Sequence, residues 1–339
     1  MQLQQRINAF QELGKILASL TSPETQEELD LLHRAKAENG WFTKENVQFA
    51  CNSWSEALSE ENLQQWVSQY DIQEVDPKTV AVVMAGNVPL VGFHDFLTVL
   101  ISGHRVLVKL SSNDQQLLPY LTEKLISIEP EFESFISFSE GKLANFDAVI
   151  ATGSNNTARY FEHYFGKYPG IIRKNRNSVA VLDGTETPEQ LKQLAHDIFR
   201  YFGLGCRNVS KIYIPKDYDF DPFFNAMFSW KHVINDHKYI NNYDYNKAVY
   251  LMSLMDILDN EFLLVKEDNG FSSPISVVFY ERYENKKVLQ QRLLEQQEHI
   301  QCVVSGNDWP GAVPFGQAQT PQLWNYADGV DTLTFLLEL

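Results

Sequence analysis

Apolar positions recur at two different periods along this chain, and the change of period divides it. Residues 1 to about 70 read as helices. Ser22-Pro23-Glu24 offers a capping side chain, a proline at the first helical position and an acid in the first turn, with Gly40 as a stop. Ser59-Glu60-Glu61 starts another helix. From residue 79, short apolar runs alternate with helical ones. Thr79 to Met84 reads as a buried strand, followed by Gly86-Asn87 and an apolar helix. Arg105 to Lys109 is a second strand, with a helix over 115–126. Phe146 to Ala151 is a third, ending in Thr152-Gly153-Ser154 and a further helix. This alternation predicts an α/β domain with a parallel sheet, whose ligands bind beyond the strands' carboxyl ends. Three polar or glycine-containing turns fall on that edge. The pattern is that of a nucleotide site, although no GxGxxG is present.

A second α/β unit starts near Ser178-Val-Ala-Val-Leu182. Thr187-Pro188-Glu189-Gln190 combines an N-cap, a proline in the first turn and a capping-box glutamine. Leu191, Leu194, Ala195, Ile198, Phe199 and Phe202 then recur at helical spacing, and the helix stops at Gly203 or Gly205. Cys206 follows on a turn before a strand over Val209 to Ile214. Further strands are expected near Ile275 to Tyr280, Ile300 to Ser305 and Thr332 to Leu337. The last run is too apolar for a free edge strand, so it predicts a homo-oligomer paired along that edge.

Composition narrows the function. The 339 residues carry 28 Lys and Arg against 44 Asp and Glu, a net charge of -16 that repels a phosphate backbone. The cluster Arg173, Lys174, Arg176 is too small for a nucleic-acid surface. Residues 1–6 lack the basic-then-apolar order of a signal peptide. The longest apolar stretch, Val88 to Ile101, is broken by His94 and Asp95 and falls short of a membrane span. Cys51, Cys206 and Cys302 show neither disulfide nor zinc spacing, and the histidines form no HExxH or HxxxH. No metal site is expected, and the reducing cytoplasm fits best.

Cys206 carries the candidate chemistry. In Gly203-Leu204-Gly205-Cys206-Arg207-Asn208 a thiol sits on a glycine-rich turn, with a cation beside it to favour the thiolate. The negative end of the preceding helix works against that activation, and most free cysteines are merely small buried hydrophobes. Cys51, in a helical stretch, and Cys302, in an apolar strand, are expected in the core. Ser154 lacks the GxSxG elbow of a serine hydrolase; its bland role is a helix N-cap, which is compatible with binding phosphate. Lys109 at a strand's carboxyl end reads in isolation as a solvated lysine.

In order, these segments resemble the aldehyde dehydrogenase superfamily. Gly86-Asn87-Val88-Pro89 matches its asparagine segment, Lys109-Leu110-Ser111-Ser112 its ribose-binding lysine motif, Thr152-Gly153-Ser154 its Gly-Ser turn over the cofactor, and Gly205-Cys206-Arg207 its nucleophile turn. Within the superfamily the chain is most similar to the LuxC-type acyl-CoA reductases, through AGNVPLVGFHDFL, VLVKLSSND, GLGCRNVSKIYIP and VPFGQAQTPQLWNYADGVDTLTFL. That likeness runs from about residue 75 to the end. It implies an aldehyde dehydrogenase-like α/β fold: a helical N-terminus with a Rossmann-like nucleotide-binding domain over 1–177, a catalytic domain over 178–315, and a segment over 316–339 that returns to the first domain and forms the oligomer interface.

The resemblance also implies an activity: NAD(P)H-dependent reduction of a fatty acyl-CoA or other acyl thioester to the aldehyde through a Cys206 acyl-enzyme. Asn87 then serves the oxyanion, while Lys109, Ser111, Ser112, Gly153 and Ser154 hold the cofactor. An acyl-transfer or acyl-activating protein is a conceivable partner. Two departures bear on this. Aldehyde-oxidising members carry a glutamate base upstream of the cysteine, whereas residues 170–180 here contain no carboxylate. Thioester exchange needs no water-activating base, so the gap fits CoA chemistry. The superfamily's ribose-holding glutamate is also missing from Gly270-Phe271-Ser272-Ser273-Pro274, with Glu267 nearby. Ser112 stands where an acid often repels a 2′-phosphate, which favours NADPH, with NADH also possible. The alternatives are an aldehyde dehydrogenase, an acyl-phosphate reductase, a cysteine acyltransferase or thioesterase, and a non-catalytic subunit that has kept the fold.

Overall fold

The computed structural model describes residues 1–306 and 309–339. The chain divides into two compact units, residues 1–175 with 322–339, and residues 176–321.

The first unit opens with four helices, α1 (Leu3–Ser19), α2 (Gln26–Glu38), α3 (Lys44–Ala57) and α4 (Glu60–Val67). α1 buries Phe10, Leu13 and Leu17 on one stripe. α2 begins later than Ser22-Pro23 suggests, because Thr25 and Glu28 form a capping box. That box satisfies two orphan N–H groups reciprocally, which a lone serine cannot do. Glu28 also accepts from Ser19 Oγ at 2.6 Å, and this bond leads the causes that hold its carboxyl down at about 2. α2 ends at Glu38 with Asn39 as its C-cap, directly before Gly40.

Strands and helices then alternate: β1 (Thr79–Val83), α5 (Phe93–Ser102), β2 (Arg105–Lys109), α6 (Leu117–Ile128), β3 (Ile136–Phe138), β4 (Ala148–Thr152), α7 (Asn155–Phe165) and β5 (Gly170–Arg173). The sheet runs β3-β2-β1-β4-β5 and is parallel throughout. Strand order reverses beside β1, so the carboxyl ends of β1, β2 and β4 border the crevice where such sheets bind ligands. Val80 and Val82 of β1, with Val106 and Val108 of β2, are fully buried or nearly so, as expected of strands covered on both faces.

The second unit contains β6 (Asn177–Val181), α8 (Pro188–Phe199), β7 (Val209–Pro215), α9 (Asp221–Met227), α10 (His237–Met252), β8 (Leu258–Asp259), β9 (Leu264–Glu267), β10 (Val277–Tyr283), α11 (Lys286–Glu295) and β11 (Ile300–Ser305). Its sheet runs β11-β6-β7-β10-β9-β8, parallel except for the β8–β9 pair. Thr187 and Gln190 form the capping box at the start of α8, with Pro188 in its first turn. β10 starts two residues later than Ile275, after Ser276 turns the chain at φ 67°.

The C-terminus departs from the sequence expectation. Thr332–Leu337 is a helix, α12, not a strand. Asp331 caps it by accepting the Thr334 N–H at 2.9 Å, and Thr332, Leu333 and Leu336 are the buried positions. Spacings of one, three and four residues suit one helix face, so the cap and the 3.6 period prevail over the apparent alternation. The homo-oligomer argued from a terminal edge strand therefore loses its basis.

Candidate active-site residues

On the first unit, the carboxyl edge of the sheet gathers the turns singled out by sequence. Val83 of β1 pairs with Lys109 of β2 on one side and Ala151 of β4 on the other, so the three strands end at one level. With strands about 4.8 Å apart, the turns after β2 and β4 lie roughly 10 Å from each other. Between them, Gly86-Asn87 leaves β1. Gly86 is buried, and a Cβ there would come within 2.6 Å of Ser111 Cβ, so the first two turns touch. Asn87 itself is exposed.

Lys109 is half-buried, and its Nζ donates to the Gly141 carbonyl at 2.6 Å. Ser111 Oγ accepts the Asn113 N–H at 3.2 Å, which closes the turn and leaves Ser112 exposed. Across β1, the Gly153 N–H donates to the Arg173 carbonyl. Ser154 is the N-cap of α7, accepting the Thr157 N–H at 3.2 Å. A Cβ on Gly153 would crowd Phe161 and Thr157 at 3.0 Å. A cation, two serine hydroxyls and a helix N-terminus bordering one crevice are the donors that phosphate and ribose oxygens require. These residues fit a dinucleotide.

On the second unit, α8 ends at Phe199 and a short 3-10 turn carries the chain to Gly203. Tyr201, Phe202, Gly203 and Gly205 all have positive φ, 56°, 58°, 78° and 95°. Left-handed backbone is costly for two aromatic residues, and strain of this kind persists where surrounding structure enforces it. Cys206 follows, half-buried. Its carbonyl accepts from Ser178 Oγ at 3.0 Å, which ties the turn to the start of β6. The same hydroxyl lies 3.0 Å from Cys302 Sγ.

Cys302 was expected in the core, but it is half-buried and shares Ser178 with the Cys206 turn. Register shifts between Ile300 and Val303, an irregularity that redirects this stretch of β11. Burial raises the Cys302 thiol pKa, and the Arg207 charge pulls against it. Cys51 is 1% exposed on α3, and burial pushes its thiol up to about 12.

Two supporting residues escaped the sequence reading. Asp197 on α8 is fully buried and accepts the Gly316 and Ala318 N–H groups at 2.6 and 3.0 Å, gripping the Val-Pro-Phe-Gly-Gln segment. An acid on the apolar face between Leu194 and Ile198 was the signal for it. Ser178 carried no signal, since a small polar residue opening a strand is commonplace. Among the described residues no group of His, Cys, Asp and Glu suits a metal ion, and no helix is long and apolar enough to cross a membrane.

The chain matches solved aldehyde dehydrogenases. Aldehyde dehydrogenase 21 of Physcomitrella patens, in complex with its reaction product succinate, superposes with a TM-score of 0.73 at 12% identity, covering 100% of this chain and 84% of that one. A cysteine-to-alanine mutant of aldehyde dehydrogenase C from Pseudomonas syringae, with NAD+ and octanal, gives 0.65 at 11% identity over 90% and 72% of the two chains. The fold is thus that of the aldehyde dehydrogenases. No curated protein matches the chain significantly. The family model described as acyl-CoA reductase (LuxC) matches residues 24–223, well over half of the sequence. The chain belongs to that family, and it is an oxidoreductase acting on acyl or aldehyde groups.

Proposed function

We propose that the protein reduces a fatty acyl-CoA, or another acyl thioester, to the aldehyde with NADPH, through a covalent acyl group on Cys206. The observation that carries this reading is the Cys206 turn: a half-buried thiol preceded by Gly203 and Gly205, strained on its N-terminal side and pinned through its carbonyl by Ser178.

The Cys206 thiolate attacks the thioester carbonyl carbon. A carbon–sulfur bond forms, and the carbonyl π electrons move to oxygen. Asn87 and the Cys206 N–H donate to that oxyanion, each such donor being worth about 3–4 kcal/mol in the transition state. Collapse re-forms the carbonyl and expels CoA thiolate, which takes up a proton. When bound, a nicotinamide cofactor would supply the hydride for reduction of the acyl-enzyme. Hydride addition to the acyl carbon would leave the hemithioacetal as its alkoxide, on which the same two donors act; re-forming the carbonyl breaks the carbon–sulfur bond and releases aldehyde and the Cys206 thiolate. Lys109, Ser111, Ser112, Gly153 and Ser154 hold the dinucleotide. Neutral Ser112 leaves room for a 2′-phosphate, so Ser112→Glu shifts preference towards NADH. The aliphatic octanal in the Pseudomonas syringae structure supports a fatty substrate, and a reducing cytoplasm suits a nucleophilic thiol that must stay reduced.

The test is intact-protein mass spectrometry after incubation with acyl-CoAs of graded chain length, alongside NADPH oxidation. One acyl adduct on the wild type, absent from Cys206→Ala with loss of turnover, is expected. An adduct that persists on Cys206→Ala, or that maps to Cys51 or Cys302, overturns the assignment.

A further inference from the structure

The turn that carries Asn87 is held by the helical N-terminus. Asn39, the residue that closes α2, is 6% exposed, and both ends of its carboxamide are engaged. Its Oδ1 accepts the Trp41 N–H at 3.1 Å. Its Nδ2 donates to the Gly86 carbonyl at 3.0 Å, across 47 residues of chain. An asparagine that merely closed its helix would need no partner so distant.

The Gly86 carbonyl oxygen and the Asn87 nitrogen belong to one planar peptide unit. A donor fixed on that oxygen therefore sets the plane from which the Asn87 Cα departs. Gly86 is hemmed in elsewhere too, because a Cβ there would lie 2.5 Å from Ser111 Oγ. Beyond Asn87 the chain turns sharply, with Leu90 at φ 58° and the Phe93 N–H bonded to the Leu90 carbonyl at 3.0 Å. Asn87 thus rises exposed from a backbone fixed on both sides. A donor that must meet an oxyanion needs this arrangement, since its orientation is set before the charge develops.

We infer that Asn39 is a positioning residue that aims Asn87 at the oxyanion, making the N-terminal helices part of the catalytic apparatus. The inference rests on the oxyanion role given to Asn87 above.

Asn39→Asp tests it. The aspartate keeps the volume and the acceptor for Trp41 but cannot donate to the Gly86 carbonyl when ionised. Steady-state kcat and KM for acyl-CoA reduction are measured for Asn39→Asp, Asn87→Ala and the double variant, together with NADPH affinity and urea stability. Asn39→Asp should lower kcat about tenfold with KM and NADPH affinity unchanged, and should have no further effect in the Asn87→Ala background. Asn39→Ser, neutral and too short to reach Gly86, serves if the buried charge unfolds the chain. Equal fold-losses in both backgrounds, or full kcat in Asn39→Asp while Asn87→Ala is slowed, overturn the positioning role and leave the Asn87 role standing. Wild-type kcat in Asn87→Ala instead overturns the oxyanion role, and the inference with it.

Discussion

Asp95→Asn should be among the most destabilising conservative changes in the first unit. Arg173 at the end of β5 is 5% exposed, and its Nη1 donates to Asp95 Oδ2 on α5 at 2.6 Å. Its Nη2 donates to Thr332 Oγ1 on α12 at 2.9 Å. One guanidinium thereby joins a strand, a helix and the C-terminal segment, across 78 and 159 residues of sequence. If both heads were exposed, the pair would contribute less than about 1 kcal/mol. Buried, the removal of one charge leaves the other uncompensated, at a cost of about 3–5 kcal/mol. Asparagine keeps the volume and one acceptor, which places Asp95→Asn near the lower end, about 3 kcal/mol; Thr332→Val should cost only about 1 kcal/mol. Trp41, Trp54, Trp66 and Trp324 lie in this unit, so tryptophan fluorescence in urea reports its unfolding. With a urea slope of about 2 kcal/mol per molar, the midpoint should fall by roughly 1.5 M. The double variant Asp95→Leu with Arg173→Met should recover most of the loss, because no buried charge then remains. A midpoint shift below a quarter of that size for Asp95→Asn would refute the argument.

Three further outcomes are expected. His196 accepts from Arg200 Nε at 3.2 Å, and burial followed by the Arg200 charge lowers its pKa from 6.5 to about 4. The unfolded chain therefore binds this proton first. The stability from neutral His196 is full above about pH 6.5 and is lost as pH falls towards 4, by at most about 3 kcal/mol. The difference in unfolding free energy between wild type and His196→Gln should shrink across that window, and a pH-independent difference would exclude the linkage. Iodoacetamide at neutral pH should label Cys206 well before Cys51, whose thiol is pushed to about 12; early Cys51 adducts in peptide mapping would contradict its burial. Ser178→Ala removes the bond to the Cys206 carbonyl and should slow acylation about three- to tenfold in stopped-flow without abolishing it. An unchanged rate would show that the strained turn holds itself.

The parts of this molecule legible in its sequence are those fixed by local physics. β2 and β11 fall at the residues read from their apolar runs, and the Thr187 capping box starts α8 where its pattern indicates. The carboxyl-edge turns at Gly86, Lys109 and Gly153 follow from strands that alternate with helices, because a parallel sheet must place those turns together. β3 and β5 were missed because three or four residues carry too little period to stand out. The terminal segment was misread for the opposite reason. Thr-Leu-Thr-Phe-Leu-Leu alternates at its start, and only the Asp331 cap and the burial of Leu333 and Leu336 decide for a helix.

The site divides along the same line. Cys206 is singled out as a candidate by its glycine-rich turn, and Asn87 only by the resemblance of Gly86-Asn87-Val88-Pro89 to the aldehyde dehydrogenase asparagine segment. Asn39, Ser178 and Asp197 hold backbone groups in place, and a backbone carbonyl or N–H leaves no mark in the sequence that a distant partner must match. Asn39 meets Gly86 across 47 residues, Ser178 meets Cys206 across 28, and Asp197 meets Gly316 across 119. Each is a common polar residue on an ordinary element, and each becomes informative only once the fold brings its partner within about 3 Å. The supporting bonds are also where substitution is hardest to foresee from sequence: a change at Asn39 removes the donor to the Gly86 carbonyl, on the peptide from which Asn87 projects. The double-variant cycle between Asn39 and Asn87 measures how strongly the two positions are coupled.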